Sequence, residues 1–334
     1  MAARIPVTVI TGYLGAGKTT LVNRLLAVHA AEAIGIVVNE FGEVGIDGGL
    51  IEANDEAVIE ISNGCVCCTV RADLVRGVLK LIEKSPVPLT RLIVETSGLA
   101  DPAPVLQSFL ADAALRERVR LESVVTVVDA HHLQTHLDDA LVREQIAFAD
   151  LLLVSKCDVD GAPLLTDVTR SVRALNPSAD IARCYRGVTA VSVFGIERFS
   201  LTQVLAIEPG LLTDDHAHEH DDAIASVALT HAGPLDPDRL QRWLNRLVQR
   251  EGRELLRMKG VLELRGEGRR FQFHSVHMLL EMVPGPRWPV GAQRMSCLVL
   301  IGRGLDRERL AHEFSECGAD APSHAGLLTT EDAV

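Results

Sequence analysis

The chain has 334 residues, with 33 lysines and arginines against 45 aspartates and glutamates, and a net charge of -12. A surface this acidic repels nucleic-acid backbones and anionic membranes, and no run approaches the roughly 18 consecutive apolar residues of a membrane span. The length predicts about two domains, and with aromatics at only 4% their cores must rest on Val, Leu, Ile and Ala.

The N-terminal stretch lacks the apolar core and cleavage site of an export signal, which predicts a reducing, cytoplasmic location. Apolar, β-branched runs at residues 7–11, 34–39, 58–61, 92–95, 123–129 and 151–154 predict buried strands. Between them, apolar residues at helical spacing begin near Lys18, Val70, Pro102, Asp138 and Leu164. That alternation predicts an α/β domain over residues 1–207, a mostly parallel sheet covered by helices on both faces. Residues 208–223 are acidic and carry His216, His218 and His220. They suit a solvated linker or a weak metal-gathering arm.

Beyond the linker, strands at 225–231, 256–264, 270–275 and 294–301 and helices at 236–251 and 306–316 predict a small α+β domain over 224–318. A tail, 319–334, follows. Arg257, Met258, Lys259 and Gly260 read as a structural turn or an interdomain contact, and His274 and His277 as structural.

Gly12-Tyr13-Leu14-Gly15-Ala16-Gly17-Lys18-Thr19 matches GxxxxGK[ST] between an apolar strand and a helix. Such a loop, with Thr20 beyond it, wraps phosphates with backbone N–H groups at a helix N-terminus. Lys18 is placed for the β- and γ-phosphates and the Thr19 hydroxyl for Mg²⁺. The fold is therefore expected to be a P-loop NTPase. Ser155-Lys156-Cys157-Asp158 ends a strand where GTPases carry Asn-Lys-x-Asp. Asp158 could accept two hydrogen bonds from guanine, with Lys156 along the base plane. An exposed polar loop is the alternative. Serine at 155 predicts a weaker bridge to the phosphate loop than asparagine.

Ligands bind outside the carboxyl ends of parallel strands. Glu95 then fits a Mg²⁺ ligand, Gly98 a γ-phosphate sensor, and Glu40 a group that orients water or binds metal. In Gly64-Cys65-Val66-Cys67-Cys68, Cys65 and Cys67 project to one side if the stretch is extended, and two thiolates can share Zn²⁺ or a similar ion. A redox pair and buried structural thiols are the alternatives. Cys157, Cys184, Cys297 and Cys317 are scattered and expected to be inert core residues.

These motifs, occurring in this order with NEFGE and ExxGxADP segments, resemble the CobW-type family of P-loop GTPases. The resemblance implies GTP hydrolysis coupled to delivery of a divalent metal, zinc or cobalt, to a client metalloprotein. It implies Cys65, Cys67 and Cys68 as metal thiols, with Glu40 and Glu43 as switch or metal carboxylates. Lys18, Thr19 and Glu95 form the phosphate and Mg²⁺ set. No arginine finger lies among these segments, so intrinsic hydrolysis is expected to be slow. A kinase or synthetase with a structural zinc is the alternative enzyme, and a metal-responsive adaptor that hardly hydrolyses GTP the non-enzymatic one.

Overall fold

The computed structural model describes residues 4–41, 58–63, 68–157, 162–189, 191–195, 224–289, 291 and 294–319. The chain opens with β1 (Ile5–Thr11), α1 (Lys18–Val28), β2 (Ile34–Phe41), β3 (Val58–Asn63) and α2 (Cys68–Lys84). Next come β4 (Arg91–Thr96), α3 (Ala103–Ala111), α4 (Ala113–Arg118), β5 (Val119–Asp129), α5 (Leu133–His136) and α6 (Ala140–Ala147). The first domain ends with β6 (Leu151–Ser155), α7 (Ala162–Leu175), β7 (Asp180–Tyr185) and β8 (Val188–Thr189).

These strands form one sheet in the order β3-β2-β4-β1-β5-β6-β7-β8. All its pairings are parallel except β7 with β8. Because side chains alternate across a strand, Leu151 and Leu153 enter the core on one face with α1, and Leu152 and Val154 enter another with α6 and α7. Burial on both faces explains the continuous apolar runs.

The second unit has β9 (Ile224–Ala232), α8 (Pro237–Glu251), β10 (Leu255–Glu263), β11 (Arg269–Val276), β12 (Leu279–Arg287), β13 (Met295–Arg303) and α9 (Arg307–Ser315). Its antiparallel sheet runs β12-β11-β10-β13-β9. One face is covered by α8 and α9, packed around the fully buried Trp243 and Phe314. The other face joins the core of the first unit, so that Val7 and Val94 share one cluster with Leu256, Val276 and Val299.

The structure corrects three expectations. Residues 257–260 lie inside β10, buried along its whole length, and not in a turn. Strands β7, β8 and β12 were not predicted; β12 contains Pro284 and Pro286 and occupies a sheet edge, where a missing N–H is tolerated. Cys157 is only partly buried, packed on the flank of the α6–α7 core cluster rather than inside it. Cys184, Cys297 and Cys317 are buried as expected, and burial pushes the last two thiols up to about 12. The linker with His216, His218 and His220, and the tail beyond Ala319, lie outside the described residues.

Candidate functional site: a phosphate loop and its strand ends

β1 delivers the chain into the Gly12–Thr19 loop at the carboxyl edge of the sheet. Gly12 has φ 137, and a Cβ there would lie 2.2 Å from the Val127 carbonyl oxygen of β5, so only glycine lets the loop leave the sheet here. The loop closes on itself through Ala16 N–H donating to Tyr13 O at 3.2 Å. Gly15 and Gly17 complete its left-handed positions, at φ 70 and φ 104. Lys18 opens α1 and is only 7% exposed. Its ammonium donates to Gly12 O at 2.9 Å and Tyr13 O at 3.2 Å. That cation and the N-terminus of α1 point the same electrostatic way, toward an anion.

Thr19 and Glu95, 76 residues apart in sequence, meet at the same place. The Thr19 hydroxyl donates to Glu95 Oε1 at 2.8 Å, and Glu95 is 2% exposed near the end of β4. A part-buried hydroxyl–carboxylate pair beside a phosphate loop is an all-oxygen donor set of the kind Mg²⁺ takes. Gly98, just beyond β4, is pressed against the loop: a Cβ there would lie 2.6 Å from Leu14 N. The backbone around it is held by Gln145 of α6, whose amide donates to Gly98 O and Ala100 O, both at 3.3 Å.

The nucleoside end is a cavity of about 330 Å³ lined by Gly17, Thr20, Ser155, Lys156, Cys184 and Arg186 among others. Ser155 Oγ bridges to the phosphate loop directly, donating to Ala16 O at 2.7 Å. Lys156 sits at φ 57, a backbone conformation uncommon outside glycine, at the mouth of this cavity. Its ammonium donates to Asp129 Oδ2 at 2.8 Å, which also meets His132 Nδ1 at 2.8 Å. Burial pushes the Asp129 carboxyl up, but these two bonds outweigh it and hold the pKa below its ordinary value. Sequence reading missed Asp129, Gln145, Cys184 and Arg186. The first two carry no motif, and the other two belong to β7 and the unpredicted turn after it.

β2, bearing Glu40, lies between β4 and β3, with Asn39 opposite Thr96 and Glu40 opposite Ser62. β3 ends at Asn63 and α2 begins at Cys68. The carboxyl ends of β2, β3 and β4 thus share one edge with the phosphate loop. Glu43, Cys65, Cys67 and Asp158 lie outside the described residues. Among the described residues, no cluster of three or more His, Cys, Asp or Glu side chains could hold a metal ion, and no helix is long and apolar enough to cross a membrane.

A second polar centre lies between the two units. Asp150, 3% exposed, accepts from Arg257 Nη2 at 2.8 Å, Lys259 Nζ at 2.7 Å and Val124 N–H at 2.8 Å. Burial alone would raise its pKa; the two cations reverse that and hold it far below the carboxylate range. Burial pushes Lys259 down and, with both cations near, drives His274 to about 3. This centre fastens one unit to the other.

Comparison with known proteins agrees with this architecture. The CobW/HypB/UreG nucleotide-binding domain matches residues 6–183, and the cobalamin synthesis protein CobW C-terminal domain matches residues 224–318. The zinc chaperone YjiA of Escherichia coli is 30% identical over 318 residues, covering 93% of this chain and 98% of that protein. The zinc chaperone CobW of Pseudomonas aeruginosa is 31% identical over 347 residues, covering 93% and 91%. The crystal structure of Zn(II)-bound YjiA GTPase aligns with a TM-score of 0.66 at 26% identity, over 95% of this chain and 99% of that one. The chain belongs to the CobW/HypB/UreG family of nucleotide-binding proteins and carries the CobW C-terminal domain.

Proposed function

We propose that this protein is a GTP-hydrolysing metallochaperone that holds a divalent metal, Zn²⁺ or Co²⁺, in a nucleotide-dependent way and passes it to a client protein. One observation carries the reading: the carboxyl ends of β2 and β3 lie on the same sheet edge as the phosphate loop and Glu95. A metal site built there from Glu40, Glu43, Cys65, Cys67 and Cys68 would adjoin the γ-phosphate position. Thiolates with a carboxylate suit Zn²⁺ or Co²⁺. The names of relatives, zinc chaperones and a zinc-regulated GTPase metalloprotein activator, support the same reading.

In this mechanism the loop N–H groups and Lys18 bind the β- and γ-phosphates. Thr19 and Glu95 hold Mg²⁺, which supplies charge neutralisation at those phosphates when bound. Ser155 braces the loop from the nucleoside side, while Lys156 and Asp158 read guanine. Gly98 senses the γ-phosphate through its N–H, and Glu40 orients the attacking water. Loss of the γ-phosphate releases the Glu40 and Gly98 segments and with them the grip on the metal.

The test is Zn²⁺ and Co²⁺ affinity, read by competition with a chelating dye, in the presence of Mg²⁺ with a non-hydrolysable GTP analogue, with GDP, and without nucleotide. Affinity that rises with the GTP analogue and collapses in Cys67→Ala is the expected result, and linkage then requires metal to tighten GTP binding by the same factor. Affinity indifferent to nucleotide would overturn the gating and leave a structural metal site in a different kind of enzyme.

A further inference from the structure

Helix α6 touches the nucleotide crevice and the C-terminal unit through consecutive residues. Gln145, 1% exposed, faces the nucleotide side, where its amide holds Gly98 O and Ala100 O. Its own backbone carbonyl accepts from the buried Thr126 hydroxyl of β5 at 2.7 Å, so the residue is fixed at both ends. Glu144, its neighbour, faces the C-terminal unit and accepts from Arg303 Nη2 of β13 at 2.6 Å. One residue beyond Ala100, Asp101 lies in the field of the same groups, repelled by Glu144 and attracted by His277 and Arg303. Asp101 Oδ1 also accepts from Ala103 N–H at 2.8 Å, which starts α3. Helix α3 packs on β11 and β12, and α6 packs on β10. Phe148, at the end of α6, stacks near His277 with ring centroids 5.6 Å apart.

The segment pressed against the phosphate loop at Leu14 is therefore clamped from behind by one residue of α6 and continues into α3. Both helices rest on the C-terminal sheet. A shift of Gly98 on arrival of a γ-phosphate must either break the two Gln145 bonds or move α6 with it. Closely packed elements transmit such shifts as discrete changes.

We propose that Gln145 is a positioning residue for the γ-phosphate-sensing segment, and that Gln145 with the Glu144–Arg303 pair relays the nucleotide state to the Arg303 end of β13 in the C-terminal unit. This rests on Gly98 being the γ-phosphate sensor. The C-terminal unit then presents one surface in the GTP state and another after hydrolysis.

Hydrogen exchange of the full chain, with GDP and with a non-hydrolysable GTP analogue, tests the relay. In the wild type, residues 97–101 and β13 should both change protection between the two states. Gln145→Leu keeps the apolar volume and removes the amide donors. It should lower kcat about tenfold with KM within about twofold, since misplacing a group costs turnover more than binding, and should abolish the response of β13. Arg303→Ala changes a partly exposed pair and guards against a folding defect in the first variant. It should leave the response of residues 97–101 intact and remove that of β13. A response at 97–101 without one at β13 in the wild type would overturn the relay alone. No response at 97–101 would overturn the sensor reading beneath it. Wild-type kcat and coupling in Gln145→Leu would overturn the positioning role.

Discussion

Two lysines of this chain are almost equally hidden from water, Lys18 at 7% exposure and Lys259 at 3%, yet they stand in different kinds of surroundings. Lys259 faces a carboxylate and shares it with Arg257 across the seam between the units. Lys18 bonds the uncharged carbonyls of its own loop, beside a helix N-terminus. The seam ties its two cations to one internal carboxylate and is finished on folding. The phosphate loop concentrates positive potential and is built to meet an anion. A cation locked onto a buried carboxylate is a fastening, and one held among loop carbonyls at a helix N-terminus is a receptor.

The comparison breaks most visibly at Asp150. Asp150→Ala removes the carboxylate that both seam cations share, and loss of one member of a buried pair costs about 3–5 kcal/mol. The urea midpoint should fall accordingly, and a loss below about 1 kcal/mol would show the seam to be loosely organised. Lys18→Ala makes the opposite change: turnover of GTP should drop at least about 100-fold, the scale for losing a preorganised charge at a reacting group. Its urea midpoint should hardly move.

Acid should act on the seam and spare the loop. His274 of β11 faces Arg257 and Lys259 of β10, Asp150 of the first unit, and Glu281 opposite it on β12. Its folded pKa is about 3, against an ordinary value of 6.5. Between those two pH values the unfolded chain binds one more proton than the folded one, so stability falls as pH drops below 6.5 and the loss levels off near 3. The expected slope is about 1 kcal/mol per pH unit, and His274→Gln should flatten it in thermal melts between pH 7 and about 5. The smallest effect is expected at Ser155. Ser155→Ala removes one hydrogen bond to the phosphate loop, worth about 1 kcal/mol, so GDP and GTP should both bind about fivefold more weakly. A larger loss for one of them would mean that Ser155 also touches the phosphates.

The sequence made the nucleotide crevice legible because its chemistry is local. Eight consecutive residues, Gly12 to Thr19, carry the loop, and strand ends carry Glu95 and Gly98. The seam was only half legible for the reverse reason: an interdomain contact was one reading of residues 257–260, but its partner could not be named. Asp150 and Arg257 are 107 residues apart, and a run of Arg, Met, Lys and Gly looks like a turn until the carboxylate that neutralises it is found. β12 was hidden by Pro284, Gly285 and Pro286, whose cost depends on whether the strand is central or at an edge. Ser155 could be located at the end of its strand, but its acceptor, Ala16 O, could not be named, because the closeness of Ala16 is a property of the fold.

The cluster that joins Val7 and Val94 to Leu256, Val276 and Val299 runs across the boundary between the two family domains. Each unit therefore uses the other as part of its lining, and heat should melt them in a single cooperative transition instead of two. The C-terminal unit is in this sense poor material for transplantation. Severed at the linker, it would present water with the oily underside of a sheet that the first unit normally conceals.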